Sequence, residues 1–134
     1  MTGETDLRTL LATMRPELNP GRYVFTTVGR DLPPGVRPVV TVAEEEGLTA
    51  VLPQLEADAA GLAYDYVAGW ITLRVHSALD AVGLTAAVAQ ALAAAGLSCN
   101  VVAGFHHDHL FVPYDRAGEA VEVLESLARH GGNG

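Results

Sequence analysis

The 134-residue sequence predicts an α+β fold built twice along the chain, with antiparallel strands and helices packed on one face. Three observations lead to this reading. From Trp70 onward the segments run strand, helix, strand, strand, helix. The first half runs strand, strand, strand, short helix, strand behind a leading helix. Helical segments repeat their apolar residues at 3.6 spacing, whereas strand segments alternate or are rich in β-branched residues. A split βαβ unit of this kind places two helices on one face of its sheet and leaves the other face for a partner.

Taking the elements in order, Thr5 can cap a helix in which Leu7, Leu10, Leu11 and Met14 fall on one side, with Pro16 and Pro20 ending it. "RYVFTTV" (22–28) reads as a strand that "GRDLPPG" (29–35) breaks, and a second strand runs near Pro38 to Val42. The acidic run Glu44, Glu45, Glu46 followed by Gly47 is a hairpin connection into "LTAVL" (48–52). Pro53 opens a short helix through Ala60, closed by Gly61, and "LAYDYV" (62–67) returns as a strand.

In "WITLRV" (70–75), Ile71, Leu73 and Val75 alternate with Trp70, Thr72 and Arg74, so one side faces the core. The loop "HSALDAVG" leads into "LTAAVAQALAAAG", an Ala-rich helix with Leu84, Val88, Ala91, Leu92 and Ala95 on one stripe. "LSCNVVAGF" (97–105) and "HLFVP" (109–113) are strands joined by a polar turn. A last helix between Asp115, its expected cap, and His130 sets Ala117, Ala120, Val121, Leu124, Leu127 and Ala128 against Glu119, Glu122, Glu125 and Arg129. "GGNG" (131–134) is a disordered tail.

Composition narrows the function. A formal net charge of −8 with scattered basic residues argues against nucleic acid as a partner, since phosphate contacts need clustered Lys and Arg. No apolar stretch reaches the ~18 residues of a membrane span, and "MTGETDLRTLL" lacks the basic-then-apolar order of a signal peptide. The expected setting is therefore cytoplasmic, without a membrane partner. Cys99 is alone, which excludes an intrachain disulfide, and its apolar run marks a buried thiol. No Ser/His/Asp set, glycine-rich phosphate loop or reactive cysteine stands at a recognisable spacing, so neither a catalytic residue nor a cofactor is expected.

At "LDAVGLTAAVAQALAAAGLSCNVVAG" (79–104) the chain resembles an ACT domain, the small-molecule-sensing module of amino-acid metabolism. The features are Gly83 closing the loop between first strand and first helix, the Ala-rich helix, and Gly96 leading into a second strand. "LSCNVV" resembles the second strand of aspartate kinase regulatory domains. "EEEGLTAVLP" (44–53) and "VAGFHHDHLFVP" resemble paired ACT-like units of small stand-alone bacterial proteins. The resemblance implies tandem ferredoxin-like (βαββαβ) units: a degenerate N-terminal unit with a leading helix (1–68) and a C-terminal ACT domain (69–130). It implies a regulatory or sensing homodimer that binds an amino acid or similar small polar ligand and does no covalent chemistry. Two departures stand out. The second unit ends in its helix without a closing strand, and the first lacks a helix between Val28 and Pro38; strand exchange between halves or between subunits would repair them.

Unpaired N–H groups at the start of a helix attract a carboxylate, which makes the loop before Leu84 a reasonable amino-acid site. By resemblance the ligand lies between this loop and the second strand of a neighbouring unit, on Ser77, Asp80, Val82, Gly83, Leu84 and Asn100. Asp80 can pair with an α-amino group, and Asn100 can donate and accept; the same residues also suit ordinary loop, cap and strand roles. A second reading makes His106, His107, Asp108 and His109 a metal centre of a metal-dependent enzyme, with His76 or His130 as a remote ligand. Four adjacent residues do not converge on one ion, so the expectation is a polar turn and no metal site. The third reading is a ligand-free interaction module whose sheet face meets another protein.

Overall fold

The structure, a computed structural model, describes residues 6–75 and 82–131. Helix α1 (Leu7–Thr13) is capped by Asp6 rather than Thr5, which lies outside the described residues; the Asp6 carboxylate accepts from the Thr9 N–H at 3.2 Å. Pro16 does not merely end it, because Arg15–Leu18 forms strand β1. Pro16 is tolerated there because β1 is an edge strand, paired among the described residues with β5 alone. Strands β2 (Tyr23–Val28), β3 (Val40–Glu44) and β4 (Gly47–Pro53) follow, with Glu45 and Glu46 forming the β3–β4 turn. Gly47 is required there: its φ is 146°, and an added Cβ would come within 2.7 Å of the Val28 carbonyl oxygen.

Helix α2 (Gln54–Ala59) then leads to the main departure from expectation. Residues 62–66 are a loop, and strand β5 runs unbroken from Val67 to Arg74. Leu62 and Tyr64 have the alternation of a strand, but they pack against the cluster holding Ala57 of α2. Helix α3 (Leu84–Ala94), β6 (Asn100–Ala103), β7 (Asp108–Pro113) and α4 (Ala117–Gly131) complete the chain. Asp115 is not a cap, because it sits inside a 3-10 turn (Tyr114–Arg116) that precedes α4. Gly131, expected in the tail, is the last residue of α4; residues 132–134 lie outside the described residues.

All strand pairs are antiparallel, in the order β3-β4-β2-β5-β7-β6, with β1 also on β5. This order explains the first of the two departures from the βαββαβ pattern. The strand missing after α4 is β1, which lies along β5 on the edge away from β7, with Arg15 opposite Arg74 and Leu18 opposite Ile71. The start of β5 serves the first half as well, pairing Ala68 and Val67 with Tyr23 and Val24 of β2. One strand thus belongs to both halves, and the exchange occurs within the chain. No helix is supplied between β2 and β3. Pro33, Pro34 and Pro38 disfavour one, and the segment instead buries Val36 against Val24, Leu52 and Ala57.

The four helices among the described residues share one face. Ile71, Leu73, Val75, Leu110 and Val112 point into a cluster with Leu10, Leu11, Met14, Val88, Leu92 and Leu124. Gly69 lies on the same side of β5, where α4 comes so near that a Cβ would meet that of Ala117 at 2.7 Å. The opposite face was expected to stand open for a partner, yet it buries much of itself. Tyr23, Phe25, Trp70 and Phe111 pack edge-to-face or stacked, with Phe111 fully buried and Phe25 and Trp70 half-buried. Among the described residues no helix is long and apolar enough to cross a membrane.

Candidate ligand-binding site

The loop leaving β5 carries three of the expected chemical groups, His76, Ser77 and Asp80, and all three lie outside the described residues. Its end is described. Gly83 occupies the N-cap of α3 with φ 104°, a conformation cheap only for glycine, and among the described residues no side chain caps the helix. The first bond within α3 runs from the Ala87 N–H to the Gly83 carbonyl at 2.9 Å. The N–H groups of Leu84, Thr85 and Ala86 therefore point out of the helix end, where the helix dipole is positive. Leu7 of α1 closes over this end, with its Cδ2 3.2 Å from where a Gly83 Cβ would stand.

The remaining predicted residues do not converge within one chain. The Leu84 side chain is buried with Val88 and Leu92, so only its backbone can meet a ligand. Val82 projects outward at 83% exposure. Asn100 is exposed at the first position of β6, opposite Phe111, and so on the helix-free face beside the aromatic cluster. In register, Phe111 faces Trp70, four residues before the end of β5. That places Asn100 about 13 Å along the strands from the end of β5, where the loop begins, at roughly 3.3 Å per residue.

The histidine-rich turn is a turn. The Gly104 N–H donates to the His107 carbonyl at 2.9 Å, closing the connection from β6 to β7, with Asp108 as the first residue of β7. His109 has a structural role that its sequence position does not announce. The Trp70 indole N–H donates to its Nδ1 at 3.1 Å, which requires a neutral ring with the proton on Nε2. Burial, then the nearby His107, lowers the His109 pKa, with Asp108 opposing. Burial raises the Asp108 carboxyl, against the pull of both histidines. Among the described residues, no three His, Cys, Asp or Glu side chains are placed to hold a metal ion. Burial pushes the Cys99 thiol up to about 11, which suits a packed side chain rather than a nucleophile.

The two-part sheet and its helix layer define a pair of ACT-type units, and comparison with known proteins agrees. Two ACT domain family models match in tandem, over residues 2–69 and 66–126. The chain belongs to the ACT domain family, whose members are in general regulatory, ligand-binding modules. It is 47% identical to a protein of unknown function from Vibrio cholerae, a possible transport protein, over 91% of this chain and 95% of that one, with a TM-score of 0.83. The fold also resembles the regulatory subunit of aspartate kinase from Thermus thermophilus (TM-score 0.63, 11% identity, 87% of this chain and 97% of that one). It further resembles aspartate kinase from Clostridium acetobutylicum (TM-score 0.64, 8% identity), covering 87% of this chain and 34% of that one. No curated protein matches the chain.

Proposed function

We propose that this protein is a sensor for an amino acid or similar small polar ligand, organised as units 1–68 and 69–130, with no catalysis of its own. The observation that carries the reading is the start of α3 behind Gly83, which no described side chain caps, in a chain whose two halves both match ACT domains. Backbone N–H groups at that end would hold the ligand carboxylate, and Asp80 would take its ammonium. Asn100 is too distant to join them in one chain. The reading therefore requires a homodimer in which β6 of one protomer brings Asn100 to the loop of its partner.

A thermal-shift screen of the proteinogenic amino acids tests this. A ligand that binds only the folded state adds about 2.7 kcal/mol at a hundred times its Kd, and so raises the melting temperature. At least one amino acid should do so, and sedimentation should show a dimer. A cooperatively melting sample that no amino acid stabilises would refute the proposal.

A further inference from the structure

At the end of the sheet opposite Gly83, where the start of β5 joins the two halves, a cavity of about 450 Å³ opens between Arg22, Gln54, Tyr66, Tyr114 and Asp115. The same chain geometry builds it from both sides. β4 ends in Pro53 and turns into α2, and β7 ends in Pro113 and turns into the 3-10 segment before α4. Arg22, just before β2, is tied to the first half by its carbonyl, which accepts from the Gln54 N–H at 2.8 Å. Its guanidinium reaches the second half and lies over the Tyr114 ring, 4.6 Å from the centroid.

That contact holds the guanidinium over the ring but uses none of its N–H groups. Among the described residues, the Arg22 side chain has neither hydrogen bond nor ion pair, and the same holds for the Asp115 carboxylate. The two opposite charges line one cavity without pairing, so they stand more than 4.0 Å apart. Gln54 donates through its amide nitrogen to the Tyr64 hydroxyl at 3.0 Å, which leaves its Oε1 as an acceptor. A guanidinium fork matches a carboxylate in two parallel bonds. The carboxylate of Asp115 and the overall charge of −8 disfavour a polyanion.

We propose that this seam cavity is a second ligand site, for a small zwitterion whose carboxylate sits on Arg22 and whose ammonium sits near Asp115. It is separate from the loop before α3 and independent of that loop's occupancy. Amide NMR of the full chain at pH 7, titrated with L-alanine, propionate, ethylamine and inorganic phosphate, tests it. L-alanine should shift the amides of Arg22, Gln54, Tyr114 and Asp115 saturably, with the other three probes at least tenfold weaker. Arg22→Gln should weaken L-alanine binding at least tenfold, and Asp115→Asn should reduce it to the level of propionate. Asn100→Ala should leave these shifts unchanged, which separates this site from the one proposed above. Arg22 and Asp115 are exposed, so both variants should keep the wild-type melting temperature. The proposal is overturned if L-alanine leaves those amides unmoved, if phosphate binds more tightly than L-alanine, or if Arg22→Gln binds as the wild type does.

Discussion

The close passage of β5 under α4 gives a quantitative test of the packing. In Gly69→Ala the new Cβ would stand 2.7 Å from the Ala117 Cβ, with Leu18 Cδ1 at 3.7 Å on another side. A relaxed carbon–carbon contact lies at about 3.5–4.0 Å, so strand and helix must separate by about 1 Å. Overpacking of this size costs about 1–3 kcal/mol. The backbone of Gly69 is not left-handed, so alanine also restricts the unfolded chain and returns about 0.4–1 kcal/mol. The net expectation is a loss of about 1–2 kcal/mol. Urea unfolding, followed through the single tryptophan, Trp70, reads it directly. Ala117→Gly removes the opposing carbon, so in the double variant the two changes should couple favourably by about 1 kcal/mol. If Gly69→Ala is as stable as the wild type, or the two changes simply add, the close approach is not what selects glycine here.

Other consequences follow from single side chains. Met14 is 1% exposed and ties the N-terminal segment to the second-half core; Met14→Ala should cost about 2–5 kcal/mol in urea unfolding. A loss well under that range would mean that α1 and β1 do not complete the second unit. With its thiol raised from 9.0 to about 11, Cys99 should present about a hundredfold less thiolate at neutral pH than in the unfolded chain. Iodoacetamide should therefore label it slowly until urea unfolds the protein. The His109 pKa is lowered on folding, so the unfolded chain binds the proton more readily. Its contribution is present above the ordinary value of 6.5 and is lost as the pH falls below it, while Asp108, whose pKa is raised, opposes this closer to pH 4. The urea midpoint should thus fall between pH 7.5 and 5.5. His109→Asn, which keeps an acceptor for Trp70 but does not titrate, should flatten that slope.

Much of the second half is legible from spacing, because it depends on local rules. Gly83 and Gly96 bracket α3, and the apolar stripe Leu84, Val88, Leu92 is the buried one. The errors arise where tertiary pairing overrides local signals. β1 is short, polar and contains Pro16, and nothing in "RPEL" reveals that β5 needs a neighbour on its free edge. Gly69 reads as a break between two strands, yet it lies inside one long strand, where it makes room for Ala117. "LAYDY" alternates like a strand, but the edge it would need on β2 is taken at Tyr23 and Val24 by Val67 and Ala68. The site is less legible than the fold. A glycine at a helix start can be read from sequence, but the separation of Asn100 from the loop depends on register. The meeting of Arg22 with Tyr114 depends on two chain segments that only the shared strand brings together.

Calorimetric titration of the protein with each proteinogenic amino acid, repeated on Asn100→Ala and Arg22→Gln, addresses the sensing role most directly. With the seam site removed by Arg22→Gln, the proposed loop site predicts saturable binding of at least one amino acid that is lost when Asn100→Ala is added. A folded protein that binds none of them, or whose binding in the Arg22→Gln background is indifferent to Asn100, would contradict it.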